Sequence, residues 1–326
     1  MSPKLVTSQA YTHRVLKAIQ HAKKHVYVLA LIIQQTDDAS EIITALTRAS
    51  HRGVGVNVVA DFSTVTYANG HLNPYYGYVK QLGAARDLAN RLRSAGARFS
   101  WVGTRSPFLF AGRTHSKWIV ADSTVFCFGG ISPHELFTDD IDYMFEQHDP
   151  VLASMLINEQ TSILHAENAD TAYVSRAVSV SQGTLLIDGG IPFDSIIYRQ
   201  AVKLIHSSSH VLMVTQYCPT GVIAKALKDT DNLVYYNEPT TSDPLTNMLI
   251  HAGKITTSIQ NLYKKKPYIH AKFLIATDEN GHKTAITGSH NFISYGVTLG
   301  TRELALMTKD PTIIKSLETF YRSYIA

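Results

Sequence analysis

A chain of 326 residues with 45% apolar and 17% charged side chains has a normal globular balance and is long enough for two ordinary domains with buried cores. Its formal net charge of +4 is too small to mark a dedicated nucleic-acid binder, although local basic patches still attract phosphate. The amino terminus has no basic-then-apolar signal pattern, and the longest apolar stretch, Val26 to Ile33, is far short of a membrane span. A cytoplasmic protein is therefore expected, with any membrane contact peripheral and at the inner face.

In chain order, Val15-Leu16-Lys17-Ala18-Ile19 reads as an amphipathic helix that leads into an apolar strand, His25-Val26-Tyr27-Val28-Leu29. Helices at Ser40 to Arg52 and Asp87 to Ala95 each end before a glycine, Gly53 and Gly96, as a left-handed cap favours. Between them, Phe62 to Ala84 holds Tyr67, Tyr75, Tyr76 and Tyr78. Ser106-Pro107-Phe108-Leu109-Phe110-Ala111-Gly112 is an apolar loop, followed by a predicted strand from Thr114 to Ala121 with His115 and Lys117 on one face. Gly129-Gly130-Ile131-Ser132 makes a turn, and Asp149-Pro150 opens a helix. Cys127 and Cys218, each in or beside an apolar run, read as reduced structural residues.

The same series then returns. Ala201-Val202-Lys203-Leu204-Ile205 precedes His210-Val211-Leu212-Met213-Val214, Ile269 to Ala276 carries His270 and Lys272, and Gly288-Ser289-His290-Asn291 and Asp310-Pro311 follow. The spacers differ: 98 positions separate Lys17 from His115, against 67 between Lys203 and His270. The extra length is assigned to Phe62 to Ala84, and a smaller insertion at Asp278 to Gly281 to a longer hairpin turn. Alternating helices and strands imply an α/β fold of two similar sandwich halves, residues 1–172 and 173–326, linked between Glu167 and Asp188.

A bare His-x-Lys is weak evidence, and His21-Ala22-Lys23 at a helix end supplies an unrepeated example. The other two occupy equivalent points of a repeat. Both segments resemble the signature of the phospholipase D superfamily, His-x-Lys-x4-Asp-x6-Gly-Ser/Gly-x-Asn. His115, Lys117, Asp122, Gly129 and Gly130 fall in register in the first half, with Ser132 at the Asn position. His270, Lys272, Gly288, Ser289 and Asn291 match in the second, where Thr277 takes the Asp position and Asp278 comes one place late.

The resemblance implies two halves about a pseudo-twofold axis and one active site that cleaves or transfers a phosphodiester through a phosphohistidine, with no metal and no cofactor. By analogy His115 is the nucleophile and His270 the general acid, tasks that suit a side chain titrating near the working pH. In-line attack then asks the facing ring nitrogens to lie about 5–7 Å apart. Lys117 and Lys272 would cover the nonbridging oxygens, with hydrogen bonds from Asn291 and Ser289. The family also places a carboxylate beyond the Asn to hold an imidazole. Glu303 fits, and Asp142 is its repeat partner, each seven residues before an Asp-Pro.

Two features bear on substrate. The Phe108 to Phe110 loop suits acyl chains, which would make phospholipid the substrate, as in a phospholipase D or cardiolipin synthase-like phosphatidyltransferase. Lys264, Lys265 and Lys266, between Tyr263 and Tyr268, suit lipid headgroups or a nucleic-acid strand, which keeps a nuclease as the alternative. A phosphate-binding module without activity is a third reading, disfavoured by intact His and Lys in both halves. With both half-sites in one chain, an oligomer is not required.

Overall fold

The computed structural model describes residues 2–33, 37–66, 76–104, 112–132, 140–238, 248, 251, 255, 257, 259–265 and 267–326. The first half contributes β1 (Lys4–Thr7), α1 (Ser8–His21), β2 (His25–Ala30), α2 (Asp37–His51), β3 (Gly55–Asp61), α3 (Ser63–Thr66), α4 (Tyr76–Ser94), β4 (Arg98–Val102), β5 (Trp118–Ala121), β6 (Thr124–Cys127), β7 (Tyr143–His148) and α5 (Pro150–Asn168). The second contributes β8 (Arg176–Val180), β9 (Gly183–Gly189), α6 (Ile196–His206), β10 (His210–Val214), α7 (Gly221–Lys228), β11 (Asp231–Tyr235), β12 (Phe273–Thr277), β13 (Lys283–Gly288), α8 (Ser294–Leu299), β14 (Arg302–Thr308) and α9 (Pro311–Tyr324).

Each half forms a mixed seven-stranded sheet, in the orders β1-β7-β6-β5-β2-β3-β4 and β8-β9-β14-β13-β12-β10-β11. Six strands correspond one to one, from β1-β7-β6-β5-β2-β3 to β9-β14-β13-β12-β10-β11. The pairing senses correspond too: β2 with β3 and β10 with β11 are parallel, and the other four shared pairs are antiparallel. The expected α/β arrangement of two similar halves is thus the observed one. The first half adds β4 at its edge, reached through α4, which begins at Tyr76 inside the segment read as an insertion.

A central core joins the inner faces of both sheets through α5 and α9, with Trp118, Tyr143, Phe145, Leu156, Phe273 and Phe320 among its members. The outer face of the first sheet packs on α1, α2 and α4, and that of the second on α6 and α7. Both cysteines are buried. The repeated Asp-Pro starts α5 and α9 as predicted: Asp149 accepts from the amides of Val151 and Leu152, and Asp310 from that of Thr312. Gly53 and Gly96 follow α2 and α4 at φ +84° and +89°, the left-handed region expected of such caps. Asp278 organises the long β12–β13 turn by accepting from the amides of Asn280 and His282. Among the described residues no helix is long and apolar enough to cross a membrane.

Two expectations need correction. The link is shorter than the range from Glu167 to Asp188: α5 ends at Asn168 and β8 begins at Arg176, and half of that range forms β8 and β9, because Ala177 to Val180 and Thr184 to Ile187 keep strand pairing despite their polar residues. The His-x-Lys residues are not on strands of their own sheets. They precede β5 and β12, because the amides there bond to the opposite half.

Candidate active site

The two halves meet reciprocally at these segments. Thr114 forms an isolated parallel bridge with Arg302, and Ile269 forms the matching one with Ile141. The amides of His115 and Ser116 both donate to the Arg302 carbonyl, at 2.9 and 3.2 Å, while those of His270 and Ala271 donate to the Ile141 carbonyl, at 3.0 and 2.9 Å. The next residues after Arg302 and Ile141 are Glu303 and Asp142, so each histidine lies beside the other half's carboxylate. His115 Nδ1 is 3.0 Å from Glu303 Oε2, and His270 Nδ1 is 2.6 Å from Asp142 Oδ2.

Burial raises the cost of charge on these carboxylates, but the adjacent imidazoles and lysines outweigh it. Glu303 is held down to about 2, and Asp142 is held below its ordinary value. Both carboxylates are therefore ionised and accept only. Each neutral histidine must then carry its proton on Nδ1 and leave Nε2 unprotonated. Burial and nearby lysines push His270 down to about 3, while burial first and Lys117 next lower His115. Both rings are neutral near pH 7.

Lys117 and Lys272 are 3% and 0% exposed. The Lys117 ammonium donates to the His115 carbonyl at 2.8 Å, and the Lys272 ammonium to the His270 carbonyl. Neither reaches a carboxylate at ion-pair distance among the described residues. Burial brings Lys117 down to about 7, with repulsion from Lys272 next, and burial brings Lys272 down to about 8. Each half's lysine also acts electrostatically on the other half's histidine, Lys272 on His115 and Lys117 on His270.

The turns after β6 and β13 complete the carboxylate supports. The Gly130 amide donates to Asp142 Oδ1 at 3.3 Å, beside that of Tyr143 at 2.8 Å. At the equivalent point the Ser289 hydroxyl donates to Glu303 and accepts from the Leu304 amide. Ser289, expected to face a phosphate oxygen, instead buttresses the carboxylate, since its hydrogen is committed there. Ser132 and Asn291 occupy matched buried positions, and Ser132 Oγ and Asn291 Oδ1 have no hydrogen-bond partner among the described residues.

Asp122 stands apart. It lies at the far end of β5, about 16 Å along the chain from Lys117 at strand spacing, and accepts from the amides of Lys23, Lys24 and His25 at 2.8 to 2.9 Å. It ties two turns together, and its hydrogen bonds keep it below the ordinary carboxylate range. At the equivalent turn, the Thr277 carbonyl accepts from the Ser209 amide.

Lys264 pairs with Glu238 at 3.2 Å and Lys265 bonds to the Ala326 carbonyl, both on the exposed surface. Lys266 and the loop holding Phe108, Leu109 and Phe110 lie outside the described residues.

Sequence reading did not single out His290 as part of the site. It is 4% exposed, and burial pushes it to about 4 while Glu303 and His115 act on it electrostatically. Its Nδ1 accepts from the Phe292 amide at 2.9 Å. Its signal was its place between Ser289 and Asn291, but the repeat offers only Ile131 opposite.

Residues 15–133 match the family model described as "Cardiolipin synthase, PLD-like domain". No curated protein matches the chain. Among solved structures, phosphatidylserine synthase from Haemophilus influenzae Rd KW20 is similar with TM-score 0.74 at 14% identity, over 98% of this chain and 85% of that one. Polyphosphate kinase from Porphyromonas gingivalis is similar with TM-score 0.63 at 11% identity, over 98% of this chain but 46% of the kinase. At these identities the structural likeness speaks to fold. The resemblance to the phospholipase D superfamily is borne out by the family model over residues 15–133, which takes in the first His-x-Lys segment, while over the rest of the chain the likeness is one of fold.

Proposed function

We propose that the protein is a metal-independent phospholipase D or cardiolipin synthase-like phosphatidyltransferase, working through a phosphohistidine. The observation that carries this reading is the pair of buried ammonium groups, Lys117 and Lys272, without a carboxylate at ion-pair distance among the described residues and flanked by two carboxylate-held imidazoles. A phosphodiester monoanion seated between the lysines would supply the missing charge, which metallo-phosphodiesterases supply in reverse with a cation.

The steps follow from the tautomers. The His115 Nε2 lone pair attacks phosphorus, the bond to the departing oxygen breaks, and that oxygen takes a proton from His270 Nε2. The substrate's negative charge offsets the lysines that depress His270, so the ring gains its proton as substrate binds. Neutral His270 then removes a proton from water or an alcohol, which attacks phosphorus and releases His115. Glu303 and Asp142 hold the two rings and stabilise their positive charge in turn. The Ser132 hydroxyl, buried and without a hydrogen-bond partner among the described residues, is suited to donate to a phosphoryl oxygen.

Phospholipid is favoured over nucleic acid because the chain's net charge is modest and Lys264 and Lys265 are engaged by Glu238 and the chain end. The membrane contact implied is peripheral. The purified protein offered phosphatidylglycerol vesicles and, separately, single-stranded DNA, each with and without EDTA, is expected to process the lipid at a chelator-insensitive rate. Phosphatidic acid as product means hydrolysis and cardiolipin means transfer. Cleavage of DNA alone, or activity abolished by EDTA and restored by a divalent ion, overturns the reading.

A further inference from the structure

The residues before the two histidines carry a second matched set of contacts that lies outside the His-x-Lys segments. Asp61 ends β3 and is 0% exposed, and Asn237 lies just beyond β11 and is 1% exposed. In the strand ladders, Gly55 pairs with His25 and Asp231 with His210, and Asp61 and Asn237 each come six residues later. They are therefore the same position of the repeat, although one is an acid and the other an amide.

Each accepts the backbone N–H of the residue preceding a catalytic-site histidine. The Thr114 amide donates to Asp61 Oδ2 at 2.8 Å, and the Ile269 amide to Asn237 Oδ1 at 2.8 Å. Asn237 Nδ2 also donates to the carbonyls of Ile269 and Gln216 at 2.7 and 2.9 Å, whereas Arg113 Nη1 reaches Asp61 Oδ1 at 3.4 Å and the Gly103 carbonyl at 2.8 Å. On the other side, the Arg302 amide donates to the Arg113 carbonyl and the Ile141 amide to the Tyr268 carbonyl, both at 2.8 Å. The segment leading to each histidine is thus fixed at one residue by its own half and at its neighbours by the opposite half.

The geometry points to Asp61 and Asn237 as paired positioning residues that set where the His115 and His270 rings stand relative to a phosphorus atom. This rests on the function proposed above. The carboxylates Glu303 and Asp142 fix the ring orientations, and Asp61 and Asn237 fix the backbone from which the rings project. Without the acceptor, a buried N–H loses its partner and the segment gains freedom at the point where in-line attack tolerates little displacement. The chemical need is an acceptor oxygen facing the amide, which Asp and Asn both provide.

The test compares Asp61→Asn with Asp61→Ser, whose hydroxyl is too short to reach the Thr114 amide. Hydrolysis of bis(p-nitrophenyl) phosphate should keep kcat within about threefold in Asp61→Asn and lose about 10- to 100-fold in Asp61→Ser, with KM little changed in either. Amide hydrogen exchange should quicken at Thr114, His115 and Ser116 in Asp61→Ser while β2 stays protected, and should remain slow in Asp61→Asn. Parent-like kcat and exchange in Asp61→Ser, or a loss in Asp61→Asn as large as in Asp61→Ser, overturns the inference. Should Asp61→Ser not fold, Asn237→Ser is read by the same two measurements at Ile269, His270 and Ala271. A parent protein that cleaves no phosphodiester would refute the proposed function, while the exchange data would still decide the positioning role.

Discussion

His270 Nδ1 lies 2.6 Å from a carboxylate oxygen of Asp142, a residue of the opposite half, and His115 stands in the mirrored relation to Glu303 at 3.0 Å. Neither half orients its own histidine, so the site exists only where the two meet. Replacing either acid by its amide, Asp142→Asn or Glu303→Gln, leaves the space filled but lets the side chain donate to Nδ1, which selects the wrong tautomer. Turnover is expected to fall by about 10²- to 10⁴-fold with the fold retained. Near-parent rates in either variant would show that the carboxylates do not orient the rings.

The two rings serve one reaction, so His115→Ala and His270→Ala should each abolish turnover, and the double variant should be no worse than either. Their intermediates should differ. Removing His270 takes away the base that activates water and so slows breakdown of the phosphohistidine, whereas removing His115 prevents its formation. With an activated phosphodiester whose leaving group needs no proton, His270→Ala should accumulate an acid-labile adduct on His115, detectable by intact mass. Adduct on the His115→Ala protein instead would reverse the assignment of the two roles.

Lysine pKa values give a signed pH dependence. The unfolded chain holds its lysine protons to about pH 10.4, while the folded protein releases those of Lys117 and Lys272 near about 7 and about 8. Between these limits the unfolded chain binds more protons, so the contribution of these two groups to stability rises with pH. Below about 7 both charges stay buried, and their cost is fully present. A bound anion relieves that cost only where the lysines are charged. Sulfate, a dianion throughout, should therefore raise the melting temperature most near about pH 6 and little near about pH 9. Equal stabilisation at both values would mean that it binds elsewhere.

Much of the fold was legible because duplicated apolar patterns, Asp-Pro helix starts and glycine stops are local signals, and the repeat multiplied each of them. Glu303 was reached through the family resemblance and Asp142 as its repeat partner, each seven residues before an Asp-Pro. That each serves the other half's histidine was not legible, since partner choice across a two-half interface leaves no spacing to count. Asp122 misled for the opposite reason: it fits the linear signature, but β5 carries it away from the site. Ser289 was read as a phosphate donor because the sequence shows a hydroxyl and not where its hydrogen goes. Asp61 and Asn237 escaped notice because unlike residues at one repeat position look unrelated until strand register aligns them.

The carboxylate supports differ between halves in a coordinated way: Gly130 goes with Asp142, and Ser289 with Glu303. A Cβ on Gly130 would stand 2.9 Å from His270 Nδ1 and closer still to an Asp142 oxygen, so the first half has no space for a side chain there. Gly130→Ser should push the Asp142 carboxylate off the ring, lower stability by about 1–3 kcal/mol through overpacking, and cut turnover by about 100-fold through lost orientation. The second half carries the longer acid beside the serine and still holds its histidine. Adding Asp142→Glu to Gly130→Ser copies that combination, and it should recover at least about tenfold of the lost activity, giving a coupling of about 1.4 kcal/mol or more in the double-mutant cycle. Asp142→Glu alone should be impaired, because with glycine retained the longer acid overshoots the ring. If the double variant is no better than the product of the two single effects, the halves do not share an interchangeable support, and the pairing of small residue with short acid is incidental.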